Sequence, residues 1–511
     1  MASLRSEHAN SKDGLKTEYM LKKIRRILAV VMFACITLMF LDFTGTLHHW
    51  LGWMAKIQFL PSLLAMNVAV LASLIVLTLV FGRIYCSVIC PLGVMQDLVA
   101  WLGGRRWKGN RWSEMRNNRY GFSRSLWWLR LASLMIIIAA FIAGIGSLVA
   151  LLAPYSSYGR IATTLFQPLY ISVNNLFAGW AESVGSYAFY HRDVWLRSTP
   201  TLVVAAVSFV VIAILAWRGG RTYCNTICPV GTILGLLARF SWLRVYIDKS
   251  KCKNCKCCEH SCKTSCIDIS HHSIDRTRCV TCGVCLEKCK FGAIHYGYPA
   301  EANSYNDDIP NRSRRSFLFG ASVAIGSTIF AQEKKKVDGG LAKIEAKVAP
   351  DRSTPVTPPG SLSFQNLAKH CTGCQLCISE CPNDVLRPST GLFTLMQPYS
   401  SFEKGYCRPE CTRCSEVCPT GAIRKIEKAD KAVIQTGHAV WIRWNCIPVR
   451  DGVQCGNCAR HCPVGAIDMV DGLPVVNETR CIGCGACENL CPSRPLSAIY
   501  VEGHEQHSII L

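Results

Sequence analysis

A chain of 511 residues with a formal net charge of +22 is too long for one compact domain and basic enough to raise nucleic-acid binding as a reading. Half of its residues are hydrophobic and 31 are cysteines. Regular C-x-x-C spacing in so long a chain speaks for metal and against a disulfide scaffold. Nucleic acid is set aside as a partner, because the Lys and Arg crowd the edges of apolar runs, as in a membrane protein that marks its cytoplasmic side.

Four apolar runs come first, at about 27–47, 60–82, 126–153 and 199–217. Each is near the roughly 20 residues that cross a bilayer core, which makes 1–240 a four-helix membrane domain. Core helices of a soluble protein are the alternative, but four such runs with basic flanks are rare there. Lys22, Lys23, Arg25 and Arg26 precede the first run. Arg83, Arg105, Arg106, Lys108, Arg111, Arg116, Arg119 and Arg124 fill the second connection, and Arg218 and Arg221 follow the fourth run. These stretches are expected in the cytoplasm, and the Lys- and Arg-poor loops at 47–59 and 154–198 outside.

An internal repeat ends the second and fourth runs. Arg83-Ile-Tyr85-Cys86-Ser-Val-Ile-Cys90-Pro91-Leu-Gly93 matches Arg221-Thr-Tyr223-Cys224-Asn-Thr-Ile-Cys228-Pro229-Val-Gly231. The two halves of the membrane domain therefore read as a duplication. C-x3-C places two thiols one helical turn apart on one face. Cys86, Cys90, Cys224 and Cys228 could then meet as one four-cysteine site able to take a further metal or cluster. The alternative is four small buried residues at helix-ending Cys-Pro steps.

The chain next becomes cysteine-dense, and 245–300 reads as a cytoplasmic two-cluster ferredoxin domain. Cys252, Cys255, Cys258 and Cys262 have the C-x2-C-x2-C-x3-C spacing, as do Cys279, Cys282, Cys285 and Cys289. Three thiolates on one tight loop hold three corners of a [4Fe–4S] cubane, and the fourth ligates the neighbouring cluster. Cys289 thus closes the first cluster and Cys262 the second. Four more quartets lie in 363–511. Two are regular: Cys371, Cys374, Cys377, Cys381, and Cys481, Cys484, Cys487, Cys491. Two have a stretched first gap: Cys407, Cys411, Cys414, Cys418, and Cys446, Cys455, Cys458, Cys462. The regular pair is expected to interleave with itself and the stretched pair likewise. Six quartets imply six [4Fe–4S] clusters, in α+β bacterial-type ferredoxin-like domains. Zinc fits paired cysteines but not a repeated triplet with a fourth Cys and often a Pro. Cys35, Cys257 and Cys266 remain without a role.

Between the two cysteine-rich parts, Ser313-Arg314-Arg315-Ser316-Phe317-Leu318 and the mild apolar stretch to Ala331 have the layout of a twin-arginine signal. Segment 311–332 is that signal or a fifth membrane helix, and a cut near Ala331 is open. The Lys-, Gly- and Pro-rich 333–362 reads as a linker. The route suits the cargo, since clusters are assembled in the cytoplasm and the domain must cross already folded. There is no C-x-x-C-H for covalent haem and no Gly-rich phosphate loop.

With these motifs, residues 1–300 resemble NapH-type membrane ferredoxins, and residues 311–511 resemble NapG-type periplasmic ferredoxins; the chain looks like the two fused. The resemblance departs at Cys262 and Cys289, which lack the usual following Pro. It implies an electron-transfer component of quinol dehydrogenase type in the cytoplasmic membrane, with four or five spans and a periplasmic C-terminal domain. Its partners would be the quinone pool and a periplasmic reductase, such as nitrate reductase, or a small electron-carrier protein. The aromatic-rich 154–198 loop is then a place to look for quinol. A maturation or regulatory membrane ferredoxin, supporting oxidase or nitrous-oxide reductase assembly, is the alternative. Six clusters favour a relay.

Overall fold

The computed structural model describes residues 2–105, 120–187, 189–298 and 346–510. The expected signal at 311–332 and the first part of the 333–362 stretch lie outside them.

Two helices among the described residues are long and apolar enough to cross a membrane. The helix Ala2–Leu41 contains the 20-residue stretch Lys22–Leu41, with mean hydropathy 2.2, and Thr199–Gly219 has 21 residues at 2.4. Only 22% of each stretch is buried inside the protein, so neither is a core helix. Val30, Val31, Val203, Val207 and Val210 point outward.

The other two runs are corrected. The 60–82 run is split into Phe59–Leu64 and the 14-residue helix Val68–Phe81. Met66 takes a left-handed φ of 51°, and the Asn67 side chain caps the second piece by accepting from Val70 N at 3.3 Å. The 126–153 run is split into the 16-residue helix Trp127–Ile142 and Gly146–Leu152. Gly144 sits between them at φ 71°, a helix-ending conformation that glycine adopts without steric cost. The 154–198 loop is also corrected, being largely helical: Pro154–Ile161, a π-turn at Ala162–Phe166, and Gln167–Ser183. Pro154 starts its helix from N1, where a missing N–H is harmless. All eight residues of that helix are buried.

Among the described residues every sheet is a two-stranded antiparallel ribbon. In the first cysteine-rich unit, Arg244–Ile247 pairs with Ile294–Gly297 and Ile267–Asp268 with Ser273–Ile274. The second unit has three ribbons: Leu386–Pro388 with Pro398–Ser400, Ile434–Trp441 with Ile499–Ile509, and Ile467–Val470 with Leu473–Val476. The stretch expected to be a free linker is corrected in its described part. Residues 346–362 strap across the second unit, burying Val356, Thr357 and Ser361. Arg352 forms a buried ion pair with Glu488 at 2.6 Å. Lys347 Nζ donates to the carbonyls of Glu488, Asn489 and Cys491 at the C-terminus of the helix Ala486–Leu490.

Both long helices run between the two cysteine-rich units. At one end of Lys22–Leu41, Lys22 pairs with Glu287 of the first unit. Just past the other end, Gly45 lies against Arg413 and Glu380 of the second. Ahead of Thr199–Gly219, Arg192 and Arg197 approach Asp384 of the second unit at 3.6 and 3.7 Å. Beyond it, Arg221 N donates to Lys263 O of the first unit at 2.9 Å. Twenty helical residues at 1.5 Å each span about 30 Å, the thickness of a bilayer core.

Candidate iron-sulfur centres

The quartet loops fold as their spacing demands. In each regular quartet the residue that follows the second cysteine or lies beside it takes a left-handed φ: Lys256 56°, Gly283 70°, Gln375 64° and Gly485 77°. Each then begins a short helix that carries the third cysteine, as in Cys257–Ser261 and Val284–Lys288.

The fourth cysteine crosses to a neighbour, as expected for 245–300. Cys252, Cys255 and Cys258 line one pocket together with Cys289. Cys262 is an electrostatic neighbour of Cys285, which also faces Cys282. Cys266, left unassigned from sequence, lies there too: its Sγ is 3.5 Å from that of Cys262 and accepts from Thr264 Oγ1 at 3.1 Å.

In 363–511 the expected pairing is corrected. Cys418 is the neighbour of Cys371, Cys374 and Cys377, and Cys381 that of Cys407 and Cys414. Cys491 neighbours Cys446, and Cys462 lines a cavity with Cys481, Cys484 and Cys487. Cys411 and Cys455 stand with their own quartets, beside Cys414 and Cys458 respectively. Each regular quartet therefore interleaves with the stretched quartet next to it in the chain. Short connections bring consecutive elements together, and this outweighs likeness of spacing.

These thiols suit a cluster. A backbone N–H is aimed at the fourth sulfur of every C-terminal quartet and of the Cys279 quartet. Ala293 N reaches Cys289 at 3.2 Å, Val385 N reaches Cys381 at 3.4 Å, Ile423 N reaches Cys418 at 3.4 Å, Ala466 N reaches Cys462 at 3.2 Å and Ala498 N reaches Cys491 at 3.3 Å. Such bonds favour a thiolate and tune the potential of a cluster it holds. Burial pushes the Cys484 thiol up to about 12 and the Cys458 thiol up to about 11. Coordination to a cationic centre is what holds such sulfurs deprotonated near neutral pH.

The two repeat elements also come together. Cys86, Cys90, Cys224 and Cys228 are each 3–4% exposed, and Cys228 has the other three as electrostatic neighbours. The pairs are not on one helical face, contrary to expectation. Cys86 and Cys224 lie in the short helices Ile84–Val88 and Thr222–Thr226, and a new helix starts at Pro91 or Pro229. A residue before proline is driven extended, and Cys228 accordingly has ψ 118° and caps the next helix, accepting from Gly231 N at 3.3 Å.

The repeats lock by exchanging arginines. Arg221 Nη1 donates to the Cys86 carbonyl at 2.5 Å, and Arg83 Nη2 to the Cys224 carbonyl at 3.4 Å. Gly93 and Gly231 permit this. A Cβ on either would stand 2.4 Å or 2.3 Å from the Cys86 or Cys224 oxygen. Gln96 Nε2 donates to Cys224 Sγ at 3.2 Å. Asp97 holds Arg221 through both oxygens and Lys263 at 3.3 Å. Burial opposes its charge, but Arg221 and Lys263 outweigh this and hold the carboxyl well below the usual carboxylate range. Gln96 and Asp97 were missed in the sequence because Leu234 and Gly235 stand at their places in the other repeat.

On one side the four-cysteine site abuts the first ferredoxin unit, where Cys282 is an electrostatic neighbour of Arg221. On the other, Tyr223 donates to Leu152 O at 3.0 Å, close to Ala150, whose side chain meets the Gly373 position beside Cys374. Gly159 lets the Cys374 carbonyl approach to 2.4 Å of where a Cβ would be.

Comparison with known proteins agrees with this cysteine chemistry. A family model described as a 4Fe-4S binding domain matches residues 63–110 and 201–247, one match on each repeat. Two described as 4Fe-4S dicluster domains match 275–385 and 451–495. The 275–385 match joins quartets that the structure places in different units. The methylamine utilization ferredoxin-type protein MauM of Methylobacillus flagellatus is 30% identical over 170 residues, 30% of this chain and 70% of that protein. MauM of Methylorubrum extorquens is 30% identical over 207 residues, covering 35% and 84%. The ferredoxin-type protein NapF of Escherichia coli K12 is 28% identical over 158 residues, covering 30% and 89%. No solved structure matches.

Proposed function

Because this chain belongs to the ferredoxin-type iron–sulfur proteins that include MauM, we propose that it is a transmembrane electron relay of quinol dehydrogenase type. In this reading a NapH-type half is fused to a NapG-type half, and electrons pass from the quinol pool to a periplasmic reductase. The observation that carries the reading is the pair of long apolar helices, each with one end on the first ferredoxin unit and the other on the second. Two clusters would then lie in the cytoplasm and four in the periplasm. The four-cysteine site, packed between the units, would bridge the hydrocarbon layer with one shared centre. Clusters supply one-electron steps; the protein sets their spacing and potential through ligation, burial and hydrogen bonds.

Export and topology can be tested together. Changing Arg314→Lys and Arg315→Lys at once strands the C-terminal unit inside, so that external protease no longer reaches it in spheroplasts, while the membrane part stays inserted. A double variant whose C-terminal unit is still cluster-loaded and cleaved from outside would show that Ser313 to Leu318 is not an export signal. A wild-type unit that is itself protected would put all six clusters in the cytoplasm and end the periplasmic-reductase reading.

A further inference from the structure

The two repeats carry the same arginine but neutralise it differently. Arg83 and Arg221 are equivalent, and both are buried, at 0% and 1% exposure. Arg221 is held by Asp97 at 3.0 and 2.7 Å. The register that aligns Arg83 with Arg221 aligns Asp97 with Gly235. A side chain at Gly235 would meet the Thr277 carbonyl of the first ferredoxin unit, and Arg130 Nη2, each at 2.5 Å. A neutral carbonyl therefore fills the place of the carboxylate. Arg83 Nη1 donates to it at 2.8 Å and to Asn225 Oδ1 at 3.1 Å. Its Nη2 faces Cys86 Sγ at 3.7 Å, and its Nε has no hydrogen-bond partner. Among the described residues no carboxylate lies within ion-pair distance of Arg83, and a buried charge without an opposite charge is strongly disfavoured. The group that can become anionic and that Arg83 faces directly is Cys86 Sγ, and Arg83 is also an electrostatic neighbour of Cys224.

We propose that Arg83 is the charge partner of the thiolate-held centre at the four-cysteine site, and that the missing carboxylate at Gly235 makes this centre easier to reduce. The inference rests on the reading that Cys86, Cys90, Cys224 and Cys228 hold one centre. Accepting one electron, supplied by a quinol, adds one negative charge there. A fixed cation at the sulfurs, not cancelled by a carboxylate, favours the reduced form. Arg221 contributes less, because Asp97 and its bidentate contact cancel it. Arg83 is thus a positioning and tuning residue, and it also touches Thr277, just ahead of Cys279.

The test is a redox titration of the full-length protein in detergent, followed by low-temperature electron paramagnetic resonance, with iron measured per chain. Cys86→Ser identifies the signal of the four-cysteine centre. In Arg83→Gln the reduction equilibrium constant of that centre falls at least tenfold, a 59 mV shift for one electron, while the ferredoxin signals stay in place. Arg83→Lys restores most of the shift, and Asp97→Asn, which frees the Arg221 charge, moves it the other way. An unchanged or raised midpoint in Arg83→Gln overturns the proposal. If Arg83→Gln loses the centre, Arg83→Lys must recover its iron; failure to do so assigns Arg83 a packing role only and also overturns it. If Cys86→Ser changes neither iron nor spectrum, no centre exists there, and the underlying reading falls with the inference.

Discussion

The ferredoxin quartets and the four-cysteine site hold their sulfurs in opposite ways. A quartet sits on one loop and is closed by a single cysteine from a neighbour, and the one at Cys252 is open to water, with Cys252 half-buried and Cys255 exposed. The four-cysteine site takes two sulfurs from each of two distant helix breaks, buries all of them, and packs them with Arg83 and Arg221. A loop quartet is a local motif that can be repeated along a chain. The other site exists only when the two repeats meet, so its integrity reports on the tertiary fold.

The largest test of that contrast is iron content. Six cubanes of four irons each require roughly 24 iron atoms per chain in anaerobically purified protein, with the four-cysteine site adding to this. Zinc in their place, or iron near eight atoms, would contradict the six quartets. Replacing Cys374 removes about four irons and leaves the four-cysteine signal intact. A second test strikes the strap across the C-terminal unit. Arg352→Ala leaves Glu488 buried without its partner, which costs about 3–5 kcal/mol; this is read as a lower midpoint for heat-induced loss of cluster absorbance. The four-cysteine centre should not respond to it. Smallest is Gly231→Ala, which sets a methyl group against the Cys224 carbonyl. Such overpacking costs about 1–3 kcal/mol, and it should loosen the four-cysteine centre before any quartet. Gly93→Ala should do the same from the other repeat.

Legibility in the sequence followed the same division. The quartets were readable because their cysteines are nearly contiguous, and the approach of Cys289 and Cys262 to the neighbouring quartet followed from a local rule. The partners of Cys381, Cys418, Cys462 and Cys491 were misassigned, because similar gaps were ranked above adjacency in the chain. The meeting of Cys86, Cys90, Cys224 and Cys228 was foreshadowed by the repeat. What it could not convey was the helix break that makes Cys228 a cap, since C-x3-C reads as one turn until the proline effect on the preceding residue is applied. The apolar runs hid their interruptions: Gly144 and Met66–Asn67 cost little hydropathy, yet each ends a helix. The strap at 346–362 belongs to the stretch read as linker from its Lys, Gly and Pro content, although Arg352 and Lys347 find buried partners far along the chain, a pairing no local pattern encodes.

The relay account stands or falls on whether electrons must pass the four-cysteine site. In membranes supplied with a quinol, the clusters of the wild-type C-terminal unit should become reduced, and a quinone-site inhibitor should slow this. The same membranes carrying Cys86→Ser or Cys224→Ser should hold a normally inserted protein whose C-terminal clusters stay oxidised. Normal reduction of those clusters in both variants would contradict the account and leave the four cysteines a structural role.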